Sequence, residues 1–347
     1  MPVLYGNAII YRQMDCVNIR KAARMIYKEI KPLGKEVSSL IYGCANRTML
    51  AGEDNSYILD STLAAGINIF DTARHYGRSE ESLGKWLKES KHRNEVVIVS
   101  KCCHPIEDES HKNRVNAEAM RQDLDVSLQT LGLDYIDIYL LHRDDLAIPV
   151  SEMIEAMQTE KKKGKIGAYG VSNWTRERIQ EANEYANQHH MEGFTISSPN
   201  YSLASQIADP WQTGSEAITL GGPEHRDDRI WYEKNRIPIF AYSSLGRGMF
   251  SGRVKSNDPE GAKNVMDEYA LRGYFCEDNL KRLKRAEGLS KEKGVTVSQL
   301  ALAWLMNQRV QVHPIVSYTS VAHMEENLRS TEIELSEAEI KWLDLHK

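Results

Sequence analysis

No apolar run in this 347-residue sequence approaches the roughly 18 residues that a membrane-spanning helix needs. Cysteine is scarce. The five present (Cys16, Cys44, Cys102, Cys103 and Cys276) contain no C-x-x-C pair, and an odd, sparse set does not build a disulfide framework. Charge of one sign is not in excess either. A net charge of −5 provides no general attraction for nucleic acid or an anionic membrane, so neither is expected as a partner. The start lacks the basic, apolar and small-residue regions of a secretory signal. With thiols that read as reduced, the cytoplasm is the expected compartment. No low-complexity tract is present, and 41% apolar with 27% charged residues describes an ordinary folded chain. Its length needs no staples.

What is present is a rhythm. Short apolar runs alternate with longer segments of helical period. The runs are "SSLIYG" (38–43), "GINIFD" (66–71), "EVVIVSK" (95–101), "YIDIYLLH" (135–142), "KIGAYGVS" (165–172), "FTISSPN" (194–200), "IPIFAYS" (237–243) and "VQVHPIVS" (310–317). Between them lie stretches such as "NAEAMRQDLDVSLQTLG" (116–132), in which Ala119, Met120, Leu124, Val126, Leu128 and Leu131 recur at helical spacing and Gly132 reads as the C-cap. "VSEMIEAMQTEKKKG" (150–164) is a second such stretch. Strands apolar throughout, each joined to the next by a helix, indicate a parallel sheet covered on its outer face. Eight such units predict an α/β fold of the (β/α)₈ TIM-barrel type. A doubly wound sheet is the rival, disfavoured because no glycine fingerprint opens the first unit.

Two segments break the rhythm. Residues 1–30 form an extension of unassigned role before a single barrel domain over 31–347. "MIYKEIKPLGKEVSSL" reads as a hairpin plugging the barrel bottom, with Gly34-Lys35 at its turn. After the seventh strand, residues 244–295 form a long loop that opens on the Gly-rich "SLGRGMFSGR".

Barrel strands deliver their C-terminal residues to one mouth. Strand two ends in Asp71, strand three in Lys101 and strand four in His142, and Tyr76 follows strand two within "NIFDTARHYGRSE". Taken singly, each has a structural explanation such as a cap or a packed ring. Taken together, they converge on proton transfer. A free phenol, with a pKa of about 10, is a poor proton source for a carbonyl. A neighbouring ammonium lowers that value, so Lys101 is expected to depress the pKa of Tyr76. Asp71 would hold Lys101 charged, and His142 would hydrogen-bond the substrate oxygen. Such a set serves to protonate an oxygen while hydride reaches the carbon bonded to it. No side chain donates hydride, so a nicotinamide cofactor is implied.

These residues, in this order, resemble the aldo-keto reductase family from about Lys31 to the end. "FDTARHYGRSEESLG", "GVSNW", "AYSSLGRG" and "EENL" are similar to that family's dispersed motifs. The resemblance implies a catalytic set of Asp71, Tyr76, Lys101 and His142. It implies that Ser172 and Asn173 hydrogen-bond a nicotinamide carboxamide, with Tyr242 stacked on the ring. Ser243, Leu245, Arg247 and Gly248 would line the pyrophosphate, and Glu326 and Asn327 would lie near the adenine. In three places the sequence departs from the family pattern, one of them the extension before Lys31, which matches nothing in it. Ser198 stands where a glutamine is common. Ser317, Ser320 and His323 occupy the stretch where cations often grip a 2′-phosphate. The implied cofactor is therefore NADP(H) or NAD(H), with a reduced preference for NADP(H).

Arg74, His75, His104, Arg143, Asp144 and Trp174 fall in the mouth loops and suit a hydroxylated, sugar-like carbonyl substrate. The expected activity is an NAD(P)H-dependent interconversion of aldehyde or ketone and alcohol. Two rivals remain: a cofactor-sensing binding subunit on the same fold, and a lyase or isomerase using Lys101 as a Schiff base. No metal is expected, because the adjacent Cys102, Cys103 and His104 of "KCCHP" cannot all face one ion. "GRSEESLGK" has the wrong spacing for a phosphate-binding loop.

Overall fold

The computed structural model describes residues 25–106, 112–212 and 216–345. It opens on an antiparallel hairpin, β1 (Tyr27–Ile30) and β2 (Lys35–Ser38), with Ile30 opposite Lys35. A 3₁₀ turn over Lys31–Leu33 joins them, closed by Gly34 at φ 60°, a left-handed conformation that glycine adopts without strain. Lys35 is already in the second strand, so the turn lies slightly earlier than its sequence suggests. The hairpin spans the boundary drawn at residue 30. Residues 1–24 lie outside those described.

Eight parallel strands follow: β3 (Ile41–Gly43), β4 (Ile69–Asp71), β5 (Val97–Cys102), β6 (Ile136–Leu141), β7 (Ile166–Ser172), β8 (Ser197–Ser198), β9 (Ile239–Ala241) and β10 (Val312–Val316). They pair in chain order, and β10 closes back on β3 to complete a (β/α)₈ TIM barrel. Each strand coincides with one of the eight apolar runs. The helix over Ala117–Leu131 shows why its segment folds as it does. Asn116 caps it by accepting from the Ala119 N–H, and Gly132 ends it at φ 66°. Val126 leaves the stripe and is 38% exposed, because it lies on the face turned away from the barrel. Among the described residues, no helix is long and apolar enough to cross a membrane.

A barrel strand is apolar on both faces, and each face packs into a different core. Outward residues such as Tyr42, Phe70, Ile98, Tyr139 and Tyr169 join the layer between barrel and helices. Inward residues form a second cluster: Ile41, Ile69, Val97, Val99, Ile138, Leu140, Ala168, Ile196 and Phe240. Ile30 and Val37 of the hairpin belong to that inner cluster, and both are fully buried. The hairpin thus seals the bottom of the barrel with its own apolar face. Asp137, fully buried in β6, fastens it. Its carboxylate meets Lys35 Nζ of β2 at 2.7 Å, Arg93 Nη2 at 2.8 Å and the Ile98 N–H at 3.0 Å.

The connection after β9 is long but not structureless. It carries helices over Pro259–Val265, Glu268–Tyr274 and Glu277–Lys293 before the barrel helix Val297–Met306. The expected loop over 244–295 is therefore mostly helical. The polar stretch hides two short caps: Asp258 accepts from the Gly261 N–H and Asp267 from the Ala270 N–H.

Removing the fastening should loosen the bottom of the barrel. Asp137→Ala leaves a buried N–H unpaired and two cations without their acid, and is expected to destabilise the fold by about 3 kcal/mol. Urea unfolding checks it, through a lower midpoint with an unchanged slope.

Candidate active site

Successive residues of a strand point to opposite faces, so the inner core continues upward in steps of two. On β4, Ile69 is followed by Asp71; on β5, Val99 by Lys101; beyond β6, Leu140 by His142. On β7, Ala168 leads two steps later to Ser172. Entering β8, Ile196 is followed by Ser198; beyond β9, Phe240 by Tyr242; beyond β10, Ile315 by Ser317. All seven polar members line one cavity of about 790 Å³ at the C-terminal mouth. Gly43 occupies the same place at the end of β3. A Cβ there would meet Ile315 Cγ2 at 2.8 Å, so glycine keeps the cavity open on that side.

At the centre is a buried ion pair. Lys101 Nζ lies 2.7 Å from Asp71 Oδ1 and donates to Asp71 Oδ2 at 2.8 Å and to the Thr72 carbonyl at 2.9 Å. The two residues are 2% and 3% exposed. Burial works against the ammonium, but Asp71 and the Tyr76 phenol outweigh it and hold the pKa of Lys101 above its ordinary value. The same nitrogen stands 4.9 Å from the centroid of the Tyr76 ring. Here an expectation fails. Burial raises the Tyr76 pKa more than Lys101 and Arg143 lower it, so the phenol stays neutral. A neutral phenol is a proton donor rather than a ready base.

Three imidazoles surround that phenol. His142 meets Tyr76 edge-on at 5.6 Å and His104 at 4.9 Å, and His75 stacks on His104 with ring centroids 3.6 Å apart. Burial, then His104, Lys101 and Arg143, push His142 well below the usual histidine range. Burial and His75 hold His104 down to about 3. Both rings are therefore neutral at physiological pH. His142 Nδ1 is buried without a hydrogen-bond partner. Among the described residues, no group of histidine, cysteine or acid side chains has the geometry to hold a metal ion.

Along one wall the backbone is unusual. Ser243, Gly246, Arg247 and Gly248 all take positive φ, at 51°, 57°, 48° and 99°. Such a run turns backbone N–H groups into a concave surface suited to anions. Arg247 lies over the Trp211 ring at 4.4 Å, pairs with Asp267 at 2.8 Å and leaves Nε buried and unpartnered. Asn173, at φ 60°, is held from several sides. Its Oδ1 accepts from the Tyr242 hydroxyl at 2.7 Å and the Ile218 N–H at 3.2 Å, and its amide donates to the His142 carbonyl and Ser172 Oγ. Ser172 donates to the Ser198 carbonyl and Ser198 to the Phe240 carbonyl, which leaves both hydroxyl oxygens with acceptor capacity. A flat aromatic beside amide and hydroxyl groups, continued by a left-handed, Gly-containing turn, fits a dinucleotide.

Most residues singled out in the sequence meet here. Leu245 and Asn327 line the cavity with those already named, as do His75, His104 and Arg143. Others lie outside it. Arg74 is exposed. Trp174 is buried in the outer core, where its indole donates to the Arg143 carbonyl at 2.9 Å. Asp144 is paired with Arg178 at 3.4 Å. Ser320 caps the helix Val321–Arg329, and His323 is exposed on its first turn. Glu326 accepts from Thr296 and Ser298 at the start of a neighbouring helix. The sequence reading did not anticipate the aromatic walls Trp211 and Tyr269, nor Pro105 and Ile106. Trp211 and Tyr269 sit in long excursions after β8 and β9, and no periodicity indicates where such segments fold back. The step of two along each strand would have found Gly43 and Ile315.

The aldo/keto reductase family model matches residues 40–347. The chain is 27% identical to "Aldo-keto reductase yakc [NADP(+)]" of Schizosaccharomyces pombe, over 88% of this chain and 87% of the relative. It is 26% identical to a "Probable voltage-gated potassium channel subunit beta" of Oryza sativa subsp. japonica, over 89% and 92%. It is 25% identical to "L-glyceraldehyde 3-phosphate reductase" of Escherichia coli O157:H7, over 85% and 84%.

Proposed function

The chain belongs to the aldo/keto reductase family and is an oxidoreductase, and from that premise we propose that it reduces a polar aldehyde or ketone to the alcohol with Tyr76 as proton donor. The observation that carries this reading is the phenol beside the Lys101–Asp71 pair, its pKa held above the ordinary value, inside the cavity that also holds His142.

A bound nicotinamide cofactor supplies the hydride. Ser172, Asn173, Ser198 and Tyr242 would hold its reactive end, Ser243 to Gly248 with Arg247 its pyrophosphate, and Asn327 its far end. Tyr76 then gives its proton to the carbonyl oxygen as negative charge develops there. Lys101, held charged by Asp71, stabilises the phenolate left behind. His142 is neutral and presents a second hydrogen-bonding group to the same oxygen. The stacked His75 and His104 narrow the entrance and favour a substrate with hydroxyl groups. The Schiff-base alternative is disfavoured, because a nucleophilic amine must be deprotonated, and Lys101 is ion-paired with a raised pKa.

Tyr76→Phe is expected to retain cofactor binding, followed by fluorescence titration, and to lose roughly 10²- to 10⁴-fold in kcat. Near-normal turnover in that variant would remove the phenol from the chemistry. Lack of turnover in the parent protein across a panel of aldehydes and ketoses would favour the cofactor-sensing subunit.

The pH profile follows from the same groups. The acid works while protonated, and its pKa lies above the ordinary phenol value, so activity is full below that value and lost as pH rises through it. His142 and His104 are already neutral and add no inflection near 6.5. The kcat for reduction is therefore expected to be flat from roughly pH 6 to pH 9. An inflection near pH 7 would contradict a burial-raised acid.

Cofactor choice rests on the absence of lysine and arginine from residues 317–323. Each charge-assisted hydrogen bond contributes about 1.5–3 kcal/mol, so a site without two of them should bind NADH within about tenfold of NADPH. Titration with both cofactors checks it, and a thousandfold preference for NADPH would mean that other groups hold the 2′-phosphate.

A further inference from the structure

Three side chains with positive charge line the cavity among the described residues: Lys101, Arg143 and Arg247. Two have acid partners. Lys101 lies against Asp71, and Arg247 Nη2 against Asp267 Oδ2 at 2.8 Å. Arg143 has none. The residue is only 4% exposed, yet among the described residues no carboxylate or carbonyl meets its guanidinium, and Nε and Nη1 are buried without a hydrogen-bond partner. Its sequence neighbour Asp144 is turned to Arg178. The Arg143 carbonyl receives the Trp174 indole at 2.9 Å, which ties the backbone at this point to the outer core.

A guanidinium cannot shed its proton to escape burial. Buried and unpaired, it is destabilising unless a bound group supplies the missing negative charge. Its position indicates which group. Arg143 directly follows His142, and its charge acts on Tyr76, His142, His104 and Tyr242. It therefore stands at the end where the carbonyl would be protonated, not along the left-handed turn from Ser243 to Gly248.

We propose that Arg143 binds an oxyanion, a carboxylate or a phosphate, carried by the carbonyl substrate close to the reacting carbon. The inference rests on the reductase reading above and narrows it from polar carbonyl compounds to anionic ones. Among the described residues Arg143 is the cavity's cation without an acid partner, so it sets the sign of the group accepted at this end. Carboxylate and phosphate present the same chemistry to a guanidinium.

Matched substrates test it: glyceraldehyde against glyceraldehyde 3-phosphate, and butyraldehyde against succinic semialdehyde. The wild-type protein should favour the charged member of at least one pair by tenfold or more in kcat/KM. Arg143→Gln should lower kcat/KM for that member about 10- to 100-fold more than for its neutral partner, chiefly through KM, and Arg143→Lys should restore part of the preference. Which pair responds separates phosphate from carboxylate. Equal losses on both members, with a shifted pH profile, would instead make Arg143 a tuner of the Tyr76 phenol and would overturn the proposal.

A binding readout stands apart from turnover. Inorganic phosphate or succinate should raise the Tm of the wild-type protein and not that of Arg143→Gln, and equal shifts in both would likewise overturn it. Arg143→Gln removes an unpaired buried charge, so it should fold with a Tm no lower than the parent. If no aldehyde is turned over, the reductase reading fails, and the Tm comparison still decides anion binding.

Discussion

Every second residue of a barrel strand faces the axis, and in this protein one end of that axis is closed. The hairpin seals the bottom with Ile30 and Val37, and Asp137 fastens it through Lys35. Inward-facing side chains are mostly apolar from the plug upward, apart from His313 low in β10, which is held by the Ser38 carbonyl, and the polar residues gather at the last step of each strand. Asp71, Lys101, His142, Ser172, Ser198 and Tyr242 are all such last steps. A shift of one residue in any strand would turn its polar group outward into the helix layer, where burial would leave it unpaired. The register of eight short strands is thus also the geometry of the site.

Within the mouth, burial competes with charge, and the balance differs from group to group. Lys101 is drawn out of water but meets Asp71 at 2.7 Å, and the pair survives as an ion pair. Tyr76 feels the same ammonium through its ring, yet burial has the larger effect and keeps its proton in place. His142 and His104 are discharged by burial first, then His142 by His104 and His104 by His75. Arg143 has no neutral form to fall back on, so among the described residues it carries the unanswered charge into the cavity. One cavity therefore contains a fixed ion pair, a reluctant acid, two neutral rings and an anion receptor.

The walls come from the excursions, not from the barrel. The segment after β8 brings Trp211 over the mouth, and the connection after β9 brings Tyr269 and Asp267 to Arg247. These contacts join residues from two insertions across the barrel end. Their positions depend on caps and packing with long-range partners, such as Asn200 with Tyr274 and Asn279 with Ser205.

The amino-acid sequence by itself determined the number of βα units, the hairpin plug and the four residues at the heart of the site. Those features are periodic or local: an apolar run, a capped amphipathic helix, a polar residue at a strand end. It also determined which residues face inward, because that follows from counting in twos. Tertiary structure alone decided the rest. It placed Trp174 in the core although its loop lies near the mouth, and it used Ser320 and Glu326 at helix starts. It reversed the expected shift of Tyr76, since desolvation depends on how completely distant segments enclose a group. It also left Arg143 without an acid, which no count of charges along the chain reveals, because pairing is a matter of distance in three dimensions.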